Sequence, residues 1–376
     1  MLLRMNTADT DSQVIHFLRL PLVVLVLLIH SNFHGTSEAW NALWAAGSPS
    51  VGPTMPTLGT IIDIISGSLA QLANPFFFFI GGFLFFREGT FSKSLYLHKL
   101  RNRVSSLLIP YLIWNAIYLV ALLAGERTMP GWTANIGKTM TDFTVADWLY
   151  AFWDITLIGG QGAMTAPIAI HFWFIRDLML IALLSPVIYQ LLRFLSSQRK
   201  EVPIILFMAL LYATKWVEGL PGLSSQGILF FSFGAYFSIS GLKFTDAMRP
   251  MRWGGLFFAL FFWQFNSPNL MYAGLIVFVV SVVTRLIEHQ QTTGNPRPLI
   301  PPFLANASFF IFAYHSLLVG GFRYLFETGA VNPQNGIEAL GIYLLCPVIL
   351  IVVGAITHSL IKKVAPGLAR LLTGGR

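Results

Sequence analysis

Ten apolar runs divide this chain of 376 residues, near 16–34, 61–86, 104–124, 167–193, 202–217, 226–241, 253–267, 270–288, 303–326 and 337–361. Each is long enough to cross, or nearly cross, the hydrocarbon core of a bilayer, which takes ~20 helical residues. Lipid offers the backbone no hydrogen-bond partner, so segments of this kind span as α-helices. The expected fold is therefore an all-α integral membrane protein, one domain over 1–376, built as a bundle of about ten transmembrane helices. Charged residues make up only 11% of the chain, against about 25% in a soluble domain. The runs at 202–217, 226–241 and 253–267 are the shortest, and Pro- or Gly-rich turns separate them.

Loop charges orient the bundle. With the amino terminus inside, eighteen of the 24 Lys and Arg residues fall in inner segments and only Arg127, Lys138, Lys215 and Arg323 in outer ones. This positive-inside bias places both termini in the cytoplasm. The net charge of +8 follows from those loops. No basic stripe with interleaved aromatics lies outside the spans, so no nucleic-acid partner is expected. The outer loops at 35–60 and 125–166 are long, and the second carries Asp142, Asp147, Trp148, Trp153 and Asp154. The single cysteine, Cys346, leaves no disulfide framework and no cysteine metal site.

Ionisable groups within spans are costly and are functional candidates by default. The first run carries Arg19 and His30. Eleven residues at ~100° each close three turns plus about 20°, so the two side chains share a stripe roughly 16 Å apart along the axis. The alternative is a snorkelling arginine and a histidine bonded to a nearby carbonyl. His30 and His34, at i and i+4, would suit two metal ligands, but no carboxylate or cysteine accompanies them at helical spacing and HExxH is absent, so no metal is expected. Between spans two and three, Lys93, His98, Lys99, Arg101 and Arg103 form a basic cluster suited to phosphate groups. It would equally serve as a topology anchor or an anionic-lipid contact. The fourth run opens His171-Phe-Trp173-Phe-Ile-Arg176-Asp177. Arg176 and Asp177 project about 100° apart, so each is expected to meet a partner on another helix. The ninth run places Tyr314-His315-Ser316 at membrane depth. There is no Gly-x-Ser-x-Gly elbow, no Walker-type loop and no Rossmann fingerprint.

Taken in order, these elements resemble the acyltransferase 3 family of bacterial multi-pass membrane proteins, in the compact form without an added soluble domain. The resemblance rests on Arg19 to His30, Asn74-Pro-Phe-Phe-Phe-Phe-Ile-Gly81-Gly82, and Arg103 ahead of Pro110-Tyr-Leu-Ile-Trp114. His171-Phe-Trp-Phe-Ile-Arg-Asp before Ser185-Pro186, and Ser308-Phe-Phe-Ile-Phe-Ala-Tyr-His315, complete it. It implies transfer of an acyl group, usually acetyl, from cytoplasmic acyl-CoA to a hydroxyl of a cell-surface or lipid-linked carbohydrate at the outer face of the bacterial inner membrane. The family's first-span arginine and histidine match Arg19 and His30. Its basic loop, often written RxxR, is thought to receive the CoA phosphates. Here Ser106 stands three residues after Arg103, so Lys99, Arg101 and Arg103 keep the charge without the pattern.

On this reading Arg19 and the three loop cations bind acyl-CoA, the donor co-substrate. His30 serves as general base or covalent acyl carrier, and His315 as a second acid/base group or an acceptor-binding residue. His171, Trp173 and Arg176 are the expected acceptor-side residues, and membrane lipids are the remaining partner. The competing reading is a transporter or flippase for a lipid-linked glycan. Many of those are built from repeated halves, and no internal repeat is visible here.

Overall fold

A computed structural model describes residues 10–36, 40, 58–126, 128, 137–159, 165–217, 219–293 and 298–375. Among these residues the chain is helical, and its only β pairing is an isolated bridge between Leu220 and Leu223. The helices are α1 (Thr10–His30), α2 (Leu58–Ile64), α3 (Ala73–Phe85), α4 (Lys93–Arg103), α5 (Ile109–Gly125), α6 (Val145–Tyr150), α7 (Trp173–Leu183), α8 (Ser185–Ser196), α9 (Glu201–Ala213), α10 (Ser225–Ile239), α11 (Phe244–Met248), α12 (Arg252–Gln264), α13 (Pro268–Thr292), α14 (Pro302–Glu327), α15 (Gly336–Val364) and α16 (Pro366–Thr373). The 35–60 loop lies mostly outside the described residues, as do parts of 125–166.

By length and composition, six helical stretches among the described residues can cross a membrane: 10–30, 58–85, 93–125, 268–292, 302–327 and 336–364. Two bent pairs raise that to eight. The first joins residues 170–183 to 185–196 with a bend of 68°, and the second joins 225–239 to 244–264 with a bend of 108°. The expected ten therefore become six to eight, and the shortfall falls on the shortest runs. Helix α9 has 13 residues, about 20 Å of helix against a core of about 30 Å. The runs at 226–241 and 253–267 are the two arms of the sharper bend. The first span also begins and ends earlier than 16–34: α1 stops at His30, so His34 lies beyond the helix and not one turn along it.

The chain forms two compact units from alternating stretches. In the first (Met1–Leu22, Leu72–Asn102 and Asp177–Ala305), α3 crosses α10 at glycine. A Cβ on Gly82 would overlap the Phe231 carbonyl, and one on Gly234 the Phe79 carbonyl. Small residues let backbones approach in this way where lipid supplies no hydrophobic force between helices. Ser238 Oγ donates to the Phe83 carbonyl across the same crossing, at 2.7 Å. Phe244 sets its ring edge-to-face on Phe79 and Phe83, with centroids 5.5 and 4.9 Å away. Buried Asp11 accepts from Thr245 N (3.1 Å) and Thr245 Oγ1 (2.6 Å). Buried Asp177 accepts from Ser224 N at 3.1 Å, at the start of α10.

The second unit comprises Val23–Gln71, Arg103–Arg176 and Asn306–Arg376. After α2 the backbone widens into a π-helical turn, Ile65–Leu69, a form frequent at functional sites. Its buried Ser66 donates to the Leu28 carbonyl (3.0 Å) and lies 3.0 Å from the Tyr343 hydroxyl. Helix α16 is clamped to α5 by Trp114 Nε1, which donates to the Leu372 carbonyl at 3.0 Å. Asn115 receives the Ala169 N–H at 3.1 Å, tying α5 to the bend that leads into α7.

The segment before α7 is held by charge. Asp147 accepts from Lys138 Nζ (2.6 Å), Thr144 N (2.7 Å) and Thr144 Oγ1 (2.8 Å), closing a capping box on α6. The Lys138 bond first, then the Thr144 bonds, push the Asp147 carboxyl down to about 2. A pKa held below the ordinary ~3.9 stabilises fully above that value and is lost as pH falls toward 2. Asp147→Asn at pH 7 is accordingly expected to open residues 138–159 to limited proteolysis while wild type stays intact. Equal resistance of the two proteins would remove this anchor from the account.

Candidate functional site

Within the second unit a cavity of about 380 Å³ opens among α1, α5 and α14, a size that suits a small-molecule group. Apolar side chains such as Phe33, Leu122 and Ile168 make most of its wall. The polar exceptions are His30, Asn32, Tyr118, Ser316 and Arg323. His30 reaches the wall because it is the last residue of α1, where the helix ends and Ser31 Oγ turns back to the Leu27 carbonyl at 2.7 Å.

Behind His30 stand two more imidazoles. The His30 and His315 ring centroids are 5.0 Å apart, and those of His315 and His171 are 4.6 Å apart. His171 and His315 are both buried. Each is oriented by a main-chain carbonyl: His315 Nδ1 lies 2.6 Å from Phe312 O, and His171 Nε2 lies 3.1 Å from Ala313 O. A carbonyl oxygen only accepts, so these two nitrogens carry the protons, which assigns the tautomers. The other two nitrogens meet at Ser316: its Oγ is 3.0 Å from His171 Nδ1 and 3.2 Å from His315 Nε2. Tyr118 closes the group, its ring centroid 5.4 Å from that of His171.

Three sequence-singled histidines, His30, His171 and His315, thus converge. Among the described residues no group of three or more His, Cys, Asp or Glu side chains is arranged to hold a metal ion. His34, beyond the helix end, lies 3.5 Å from Asp63, and Asn32 donates to that carboxylate at 2.7 Å.

The other candidates sit elsewhere in their units. Arg176, buried, donates to the carbonyls of Trp153 (2.6 Å) and Thr165 (3.1 Å) and to Thr165 Oγ1 (3.2 Å). Its guanidinium also lies 5.4 Å from the centre of the Trp153 ring. It braces Trp153 and Thr165 ahead of α7 and does not line the cavity. Trp173 opens α7 and packs edge-to-face on Phe174. Arg19 is exposed on α1. Lys99, Arg101 and Arg103 all lie on α4. Lys99 bonds the Phe85 carbonyl and pairs with Glu88. Burial would push the Glu88 carboxyl up, but the Lys99 bond and nearby positive charge outweigh it and hold it below its usual value. Arg101 is exposed and Arg103 is half-buried.

Four polar cavity residues, Asn32, Tyr118, Ser316 and Arg323, were not singled out from the sequence. A signal existed for two of them. Ser316, Gly320 and Arg323 recur at i, i+4 and i+7, one helical face, and Arg323, counted above among the outer-segment cations, falls inside the 303–326 run and within α14.

Comparison with known proteins places this arrangement in a family. No solved structure gives a significant match. The chain is 25% identical over 376 residues to the succinoglycan biosynthesis protein ExoH of Rhizobium meliloti, an alignment covering 96% of this chain and 92% of that protein. A family model for the acyltransferase domain matches residues 13–358, a stretch that contains the His30–His315–His171 cluster and all its partners; the chain belongs to the acyltransferase 3 family.

Proposed function

We propose that this multi-pass membrane protein is an acyl-CoA-dependent O-acyltransferase that moves an acyl group, acetyl in the first instance, to a hydroxyl of a cell-surface or lipid-linked carbohydrate. The observation that carries the reading is His30 on the wall of a cavity, backed by an imidazole whose orientation is fixed. Neutral imidazole suits general-base work because its pKa lies near working pH, and it suits an acyl carrier because it is a competent nucleophile. A carbohydrate acceptor is supported by the relative of glycan biosynthesis.

In this reading the six to eight spans and the shorter helices form one catalytic domain in the inner membrane, and the distribution of Lys and Arg supports both termini in the cytoplasm. Arg19, Lys99, Arg101 and Arg103 receive the CoA phosphates, and the donor set fits polyphosphate: one lysine and three arginines, two of the arginines with solvent-accessible surface on α4. His315 is the second acid/base group. His171 acts from behind the cavity, and Trp173 and Arg176 shape the acceptor side, Arg176 through its bonds to Trp153 and Thr165.

The test is purified full-length protein with radiolabelled acetyl-CoA, and succinyl-CoA in a parallel arm, and a glycan acceptor. Label appearing on the glycan supports the reading. Glycan flux across a vesicle membrane without acyl transfer would replace it with a flippase. Glu88 already partners Lys99, so Arg101, exposed on the same helix, is expected to contribute more to donor binding than Lys99. Charge-assisted hydrogen bonds contribute about 1.5–3 kcal/mol each, so Arg101→Glu with Arg103→Glu should weaken CoA binding by ~100-fold or more in a titration. Unchanged affinity would return the loop to a topological role.

A further inference from the structure

The Ser316 hydroxyl has one proton to give and two nitrogens asking for it. With His315 Nδ1–H committed to Phe312 O and His171 Nε2–H to Ala313 O, neutral rings leave His315 Nε2 and His171 Nδ1 as bare acceptors. Both lie within hydrogen-bond reach of the same Oγ, at 3.2 and 3.0 Å. In the neutral cluster one nitrogen must therefore face an oxygen lone pair, in a place where an unmade hydrogen bond is costly. A single added proton resolves the conflict. On either nitrogen it makes N–H donate to Oγ while the hydroxyl donates to the other ring. A second proton would put two cations on rings whose centroids are 4.6 Å apart.

We propose that His171, Ser316 and His315 form a buried store for one proton, with Ser316 as the positioning residue that opens it to the cavity. Ser316 lines the cavity, whereas the two rings behind it are buried. Among the described residues, the other titratable or charged groups facing the rings are His30 from α1 and Tyr118 from α5, with Arg323 of α14 acting on His30. None of them supplies a negative charge at neutral pH that would hold a second proton.

The use of the store rests on the acyl-transfer reading. With His30 as the acyl carrier, its ring nitrogen bonds the acyl carbon as the carbon–sulfur bond breaks, and CoA thiol leaves with the proton of the ring N–H. The acceptor oxygen then bonds the acyl carbon, its O–H breaks and the proton passes to Ser316 Oγ. The Ser316 proton passes on to His315 Nε2 or His171 Nδ1. The bond from the acyl carbon to the His30 nitrogen breaks, and that nitrogen takes the proton back by the same hydroxyl, leaving ester, neutral His30 and the neutral cluster.

The store is read without any acyl transfer, by nitrogen NMR of full-length protein carrying 15N-histidine in lipid bilayers. His171→Asn and His315→Asn assign the two rings. The expected result is one shared protonation that moves both rings' signals together, and Ser316→Ala should separate them into two independent titrations. Ser316→Thr, which keeps the hydroxyl, should retain the shared event and guards against a packing defect in the alanine variant. Two independent protonations in wild type, or identical titrations in wild type and Ser316→Ala, overturn the proposal. In an active protein, Ser316→Ala should lower kcat at least tenfold with KM little changed and shift the pH profile, while Ser316→Thr recovers most of the rate. Wild type that shows the shared proton but no transferase activity would refute the acyl-transfer reading and leave the store standing.

Discussion

His30→Ala is expected to lower acyl transfer by about 10²–10⁴-fold, the range over which a positioned acid/base group accelerates a reaction. The size of the loss follows from where the residue stands. His30 is the imidazole that lines the cavity, and the His315 ring behind it is buried and held by Phe312 O and Ser316. No second ring can take its place without leaving those bonds. The variant removes a side chain at a helix end, where α1 has completed its ladder, so the fold should survive. Size-exclusion behaviour and thermal unfolding matching wild type are the control. Transfer at the wild-type rate in such protein would end the catalytic role of His30. The two chemical roles separate in the same assay. An acyl carrier releases a burst of CoA before any acceptor is added, because its first half-reaction needs none. A general base releases CoA only with acceptor present.

The second large effect is on stability. Gly82→Leu is expected to prevent α3 and α10 from meeting. Even a Cβ at this position would overlap the Phe231 carbonyl, and the reciprocal Cβ at Gly234 would overlap the Phe79 carbonyl. Overpacking against flexible side chains costs about 1–3 kcal/mol, and here the obstruction is backbone on both sides, so the loss should lie at or beyond the upper end. Separating the helices would also break the Ser238 bond to the Phe83 carbonyl and the Phe244 contacts made at the same crossing. A fall of several degrees in thermal midpoint for Gly82→Ala, and no recoverable folded protein for Gly82→Leu, are the expected readings. Gly254→Ala is the control, since a Cβ there meets nothing within 4 Å. It should be neutral. A Gly82→Ala variant as stable as Gly254→Ala would show that the helices can part without cost.

Much of the helical content was legible as apolar length. Each of the ten runs falls largely on helix, although 61–86 and 167–193 each divide into two helices, because a backbone surrounded by lipid has no other local solution. What the runs could not convey is where a helix is too short to span by itself or bends within a pair, as with Glu201–Ala213 and the 108° turn between 225–239 and 244–264. Those outcomes depend on turns such as Ser240 to Lys243, whose geometry is set by the helices on either side. His30, His171 and His315 stood out individually because ionisable groups inside apolar runs are expensive. Arg176 stood out by the same rule, yet the structure gives it to the carbonyls of Trp153 and Thr165.

The sequence by itself determined an all-α membrane protein, the helix that carries Arg19 and His30, and the place of His315 within an apolar helix, since apolar length and ionic cost act locally along the chain. Only the tertiary structure decided that His171 and His315 share one serine hydroxyl behind His30, and that Asn32, Tyr118 and Arg323 complete the cavity wall. Helical periodicity specifies which face a residue occupies. Which face it meets is settled by packing between segments far apart in the chain, and in the second unit by contacts such as Asn115 with Ala169 and Trp114 with Leu372 that no local pattern records.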